Sequence, residues 1–156
     1  MSIITLIGID PGLVDSGAVT FKIDTAKLAL TVSAEKLVGS DPAPIEDYLK
    51  RHSTKDTLTF VEAYRDRGTS FSTHKVMREI EAALRRSQPG IVVLDNTGVK
   101  KVVSPALMRM LDCWTFSTVT NHQDLRSAAR IALYGGLKNP DINDFLTKYV
   151  MKQLGK

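Results

Sequence analysis

Ile3-Ile4-Thr5-Leu6-Ile7-Gly8-Ile9-Asp10-Pro11-Gly12, with Ser16-Gly17 close behind, is the stretch on which the reading of this chain turns. Residues 3–9 are apolar almost without a break, as a central strand covered on both faces requires. The run stops at Asp10, and Pro11-Gly12 turns the chain there. A carboxylate in that position does nothing for packing, and buried without a partner it costs several kcal/mol or takes up a proton. It needs a cation, a cluster of donors or water. Thr57-Leu58-Thr59-Phe60-Val61-Glu62 repeats the arrangement, a short strand ending on an acid. Two such carboxylates meet if their strands are neighbours, which short crossover connections allow.

The chain has 156 residues, the size of one domain of roughly 100–200 residues, so residues 1–156 are read as a single domain. Hydrophobic content of 43% with 24% charged residues excludes a disordered or fibrous chain. The longest apolar runs are strand-sized, so no membrane-spanning helix is expected. Met1-Ser2-Ile3 lacks the basic start of a signal peptide, and the one cysteine, Cys113, cannot form an internal disulfide. Both point to a reducing, cytoplasmic setting. Cys113 itself reads as a small buried hydrophobe, with no histidine near it in sequence.

Net charge is +4, compatible with a nucleic-acid partner, and its placement says more than its size. Arg65 and Arg67 follow Glu62, Arg85-Arg86 end a helix, Lys100-Lys101 are read in a loop, and Arg126 and Arg130 flank Asp124. Each alone is an ordinary surface charge. Several basic groups beside candidate acids suit a polyanion.

Residues 17–23 and 28–37 read as two further strands, since Val19, Phe21 and Ile23 alternate with Thr20 and Lys22. Residues 40–44 form a loop and 45–52 a short helix. Residues 73–87 make an amphipathic helix with Val76, Met77, Ile80, Ala83 and Leu84 on one face, and 91–94 a fifth strand. Residues 104–111 read as helix with Pro105 early in it; Asn121 caps the next, which runs to Gly135-Gly136; Asn139-Pro140 starts a last helix through Leu154. Three strands followed by strands that return through helices are the order of an α/β domain with a mixed sheet. The last helix carries an apolar stripe that covers either its own core or a partner subunit.

Asp10, Glu62 and Asp124 are the acids that can converge, Asp124 in the first turn of a helix. Such a cluster suits Mg²⁺ or Mn²⁺, hard ions that take oxygen ligands. Two ions about 4 Å apart can activate water and stabilise the leaving oxygen of a phosphodiester. His122 is a further candidate ligand or base. The bland alternatives are concrete: Glu62 paired with Arg65 or Arg67, Asp124 favouring a helix start, His122 solvated in a loop. Asp95 ends the fifth strand and either joins the cluster or makes a turn with Asn96-Thr97-Gly98.

The motifs Ile7-Gly8-Ile9-Asp10-Pro11-Gly12…Ser16-Gly17, Phe60-Val61-Glu62 and Asp124…Ser127-Ala128-Ala129-Arg130-Ile131-Ala132-Leu133 together resemble RuvC-type Holliday-junction resolvases of the ribonuclease-H-like superfamily. The resemblance spans about residues 3–135, in order. It implies a five-stranded mixed sheet flanked by helices, a homodimer, acidic ligands holding two Mg²⁺ (Mn²⁺ as substitute), and paired nicks across a four-way DNA junction. Asp10, Glu62 and Asp124 match the family's first three ligands. Ser127 stands where the fourth is normally an acid, so one metal is expected to be held more loosely, with His122 or Asp95 able to compensate. Lys100 and Lys101 resemble a basic loop near the scissile phosphate. Tyr64 and Phe71 are candidates for an aromatic wedge, neither at the family's usual spacing. Arg65, Arg67, Lys100, Lys101 and Arg126 would bind phosphates. The bulkier, more charged 77–83 segment departs from the glycine-containing dimer helix of bacterial members, and a compact phage-type member fits these departures.

The leading reading is therefore a Mg-dependent endodeoxyribonuclease acting on branched DNA. Alternatives are the same fold cutting RNA in hybrids or flaps, a non-catalytic junction binder, and an actin-like or sugar-kinase-like ATPase suggested by the Asp10-Pro11-Gly12…Ser16-Gly17 hairpin. ATPases of that kind pair two such domains, and this chain holds one.

Overall fold

The computed structural model describes residues 3–39, 41–64, 71–116 and 122–156, the side chains of 71 and 72 excepted. Five strands, β1 (Ile3–Asp10), β2 (Asp15–Asp24), β3 (Ala29–Val38), β4 (Thr57–Glu62) and β5 (Val92–Leu94), form one sheet in the order β3-β2-β1-β4-β5. The first three meander antiparallel, and β4 and β5 then return parallel to β1. Helix α1 (Ala43–His52) leads into β4 and α2 (Phe71–Ser87) into β5. Four helices follow: α3 (Val99–Val102), α4 (Pro105–Met110), α5 (Gln123–Gly136) and α6 (Pro140–Leu154). A mixed five-stranded sheet flanked by helices is what the sequence predicts.

The apolar run of β1 is explained by two cores. Ile7 and Ile9 pack with Val61 against Ile45, Tyr48 and Leu49 of α1 and Met77, Ile80 and Leu84 of α2. Leu6 packs with Phe60 and Phe21 against α5 and α6 on the other face. Fully burying one such side chain contributes about 1.5–3 kcal/mol, so β1 anchors both layers. The stripe of α6 covers its own core: Ile142, Phe145 and Leu146 are buried there. Asn139 caps that helix, its side-chain oxygen accepting from the Asp141 and Ile142 N–H groups at 2.9 and 3.3 Å.

The seat of α5 is set by missing side chains. A Cβ at Gly8 would run into the Ala128 carbonyl, and one at Gly17 into the Asp124 carbonyl. Nothing larger than glycine lets the helix backbone lie so close to β1 and β2. At the other end of α5, a Cβ at Gly135 would enter the Phe60 ring.

Local readings differ from the structure in a few places. Lys100 and Lys101 lie in the short helix α3 rather than a loop. A four-residue helix shows no periodicity, and its cap, Gly98, is left-handed with φ 76°. Asn121 is outside the described residues, and the N-cap of α5 is His122. Helix α1 starts two residues earlier than read, with prolines 42 and 44 tolerated at its unbonded first turn.

Gly8→Ala is expected to lower stability by about 1–3 kcal/mol through overpacking. Gly90→Ala, which meets nothing within 4 Å, should stay within about 0.5 kcal/mol of the parent. Thermal unfolding of the two variants checks this; equal melting points would contradict the close seating of α5.

Candidate active site

Parallel pairing brings the two strand-end acids together. The register of β1 on β4 runs to Ile9↔Val61, one step short of Asp10 and Glu62. Side chains alternate between faces, so Asp10 lies on the face of Leu6 and Glu62 on that of Phe60, both towards α5. Asp10 is hydrogen-bonded to Glu62, and Asn96 Nδ2 donates to Glu62 Oε1 at 2.5 Å. Burial, then the hydrogen bond and charge of Glu62, then the charge of Asp124 push the Asp10 carboxyl up to about 10. A carboxylate in contact with another and shielded from water favours its protonated form, which is the direction of the Asp10 shift.

The pair floors a cleft of about 330 Å³ whose walls include Tyr64, Asn96, Lys100, Gln123 and Ser127. Beneath it a small pocket of about 40 Å³ is lined by Glu62, Asn96, Lys100, Ser127 and Arg130. The Arg130 side chain is buried, its Nε donating to the Val103 carbonyl at 3.2 Å, and desolvation lowers its basicity. Asp124 approaches from the first turn of α5, but its Oδ2 lies 4.0 Å from Lys36 Nζ, which also sits 3.4 Å from Asp15 Oδ2. Partial burial raises the Asp124 pKa, Lys36 lowers it, and the charges of Asp15 and Glu62 raise it.

Three parallel strands ending at one edge of the sheet with a helix laid across their ends have counterparts among solved structures. Thermus thermophilus RuvC in complex with a Holliday junction substrate superposes with a TM-score of 0.60 at 13% identity, covering 93% of this chain and 95% of that one. A second Thermus thermophilus RuvC structure gives 0.55 at 16% identity, with 93% and 96% covered. The fold is RuvC-type, ribonuclease-H-like. No family model matches the sequence, and no curated protein does.

On this RuvC-type frame the predicted residues separate. Asp10, Glu62, Ser127, Tyr64 and Lys100 share the cleft. Asp124 stands beside it, facing Lys36. His122 lies elsewhere: its Nδ1 accepts from the Phe116 N–H at 3.0 Å, in a groove with Trp114. Asp95 makes a turn, accepting from the Thr97 N–H at 2.7 Å. Lys101 is exposed on α3, and Lys100 is the one of the two that lines the cleft. Arg126 Nε donates to the Trp114 carbonyl at 2.6 Å. Arg65, Arg67 and the Phe71 side chain fall outside the described residues. Gly12 N–H is taken up by Ser16 Oγ at 3.1 Å, which removes a donor from the phosphate-hairpin alternative. Cys113 is buried, its thiol pushed up to about 12 mainly by burial.

Among the described residues no group of three or more His, Cys, Asp or Glu side chains is gathered to hold a metal ion. The donor set still fits a hard divalent cation. Asp10 and Glu62 offer touching carboxylates, no described basic side chain is ion-paired with either, and the Ser127 hydroxyl and Asp124 stand nearby. Lys36, Asn96 and Arg130 were not singled out as site residues from sequence. Asn96 was read only as part of a turn, and nothing in the pattern of β3 distinguishes Lys36 from a solvated strand lysine.

The raised Asp10 pKa has a consequence for stability. Asp10 holds its proton more tightly folded than unfolded, so between about pH 4 and about pH 10 the folded state binds more protons. Without divalent cations, stability should fall as pH rises through that window, by up to about 1.4 kcal/mol per unit. Asp10→Asn should flatten the slope. Melting curves across pH check this, and a wild-type slope unchanged in the variant would contradict the raised Asp10 pKa.

Proposed function

We propose that the chain is a divalent-metal-dependent endonuclease that acts on branched DNA, resolving four-way junctions by paired nicks. The observation that carries the reading is the hydrogen-bonded pair Asp10–Glu62 at the carboxyl ends of adjacent central strands. That edge of an open α/β sheet is where ligands bind. The RuvC of similar fold is bound to a Holliday junction substrate, which supports branched DNA as the substrate.

Asp10, Glu62 and Asp124 would hold Mg²⁺, or Mn²⁺ in its place, with Ser127 a weaker neutral oxygen ligand. When bound, the ion supplies Lewis acidity towards water and the phosphate, and two ions would supply it on both sides of the cleaved bond. The protein's own part is positional. Asp10 gives up its proton, so both carboxylates carry charge. Lys100, on the cleft wall, offers an ammonium to a phosphate oxygen. Arg130, beneath Glu62, adds fixed positive charge at the cleft floor. In-line attack of water on phosphorus would leave a 5′-phosphate and a 3′-hydroxyl. Paired, symmetric nicks require two copies of the site, hence a homodimer.

A second reading, junction binding without cutting, is favoured by Ser127 and by the Lys36 contact that draws Asp124 towards Asp15. Cleavage of a labelled synthetic four-way junction in millimolar Mg²⁺, beside linear duplex and a DNA–RNA hybrid, separates the readings. Symmetric nicks confined to the junction are expected; cutting of the hybrid alone would move the substrate to RNA. Asp10→Asn should reduce cleavage roughly a thousandfold or more while junction binding persists, the scale of losing a central catalytic group. Retained cleavage in that variant would overturn the site.

A further inference from the structure

A second feature adjoins the cleft without belonging to it. Beside the first turn of α5 lies a groove of about 720 Å³ lined by Arg109, Asp112, Trp114, Thr115, Phe116 and His122. Trp114, the chain's one tryptophan, is half-buried there. The Arg126 guanidinium lies 3.9 Å from the indole centroid and that of Arg109 4.7 Å. Among the described residues no carboxylate is ion-paired with either guanidinium. Two like charges gathered on one ring oppose each other in the free protein, and an anionic ligand relieves that opposition.

We propose that this groove is a stacking site for an unpaired nucleobase of the DNA substrate, with Trp114 and the guanidiniums stacked on it as the platform and Arg109 and Arg126 as phosphate contacts. The inference rests on the DNA-cleaving reading of the Asp10 cleft and deepens it. Three observations on the page carry it. An indole with stacked guanidiniums matches the two chemical faces of a nucleotide, an aromatic ring and an anionic phosphate. The Phe116 and His122 rings, their centroids 6.1 Å apart, line the same groove, so aromatic surface extends beyond the indole. Its place is also right: His122 caps α5 and Asp124 follows two residues on, a rise of about 3 Å along the helix. Gln123 lines the cleft of Asp10 and Glu62 while His122 lines the groove, so consecutive residues separate the two and a strand in the cleft runs towards the groove. The base must be unpaired, since a stacked duplex offers no free ring face to a platform; branched DNA supplies such bases at its branch point.

Arg126 also serves structure, because its Nε holds the Trp114 carbonyl. Arg109 is exposed on α4 and is the cleaner probe. The test titrates the emission of Trp114 with a short oligothymidylate, with thymidine monophosphate as a second arm, and follows strand affinity separately by anisotropy of the labelled strand. Saturable quenching by the oligonucleotide, with far weaker response to the mononucleotide, is expected. Trp114→Ala should weaken strand affinity about tenfold, Trp114→Phe should recover most of it, and Arg109→Gln should weaken binding and lower its salt dependence. If Trp114→Ala fails to fold, Trp114→Phe and Arg109→Gln carry the test. Strand binding with silent Trp114 emission overturns the proposal, as does equal affinity for the mononucleotide. Absence of strand binding by the folded protein overturns it too. Junction cleavage is scored apart. Cutting with a silent Trp114 refutes the groove alone, whereas quenching by the strand without cutting supports the groove and refutes the nuclease reading.

Discussion

Backbone contact between α5 and strands β1 and β2 determines where Asp124 and Ser127 stand against the strand-end acids. Gly8 and Gly17 leave room for the Ala128 and Asp124 carbonyls to rest on the sheet. That seating brings the first turn of α5 over the ends of β1 and β4, and with it Asp124 and Ser127. It also buries Ala128, Ala129 and Ala132, whose small side chains keep the layers close. A larger residue at either glycine would lift the helix and open the cleft together, so packing and site geometry are one constraint.

The electrostatics follow from that closeness. Asp10 and Glu62 touch where water is largely excluded, and that burial with the neighbouring carboxylate raises the Asp10 pKa. Asp124, farther out, finds an ammonium instead: Lys36 satisfies it and Asp15 at once. The free protein thus balances its acids in two ways, a proton for Asp10 and a lysine for the outer acid. A divalent cation entering between them would compete with both.

Much of this was legible in the residues. The unbroken apolar run of β1 implied cover on both faces, and both cores are there. Strand-end acids at Asp10 and Glu62 implied adjacency, which the parallel register delivers. Asn139 and Ser104 announce helix starts through side chains that accept from backbone N–H groups. Other features had no local signal. A four-residue helix such as α3 has no period to read, so Lys100 and Lys101 passed for a loop. Lys36 and Asn96 owe their importance to partners 88 and 34 residues away in sequence, Asp124 and Glu62. His122, two residues from Asp124, was a candidate ligand or base beside a bland loop reading; sequence could not show that its Nδ1 accepts from the Phe116 backbone.

The claim at the centre is that Asp10, its pKa raised by burial and by Glu62, carries a proton that a divalent cation displaces. Calorimetric titration of Mn²⁺ or Mg²⁺ into the protein near neutral pH, in buffers of different ionisation enthalpy, measures that proton directly. Release of about one proton per bound chain, abolished in Asp10→Asn, is expected from the coupled pair. Cation binding with no buffer-dependent heat would contradict it, since Asp10 would then already be ionised.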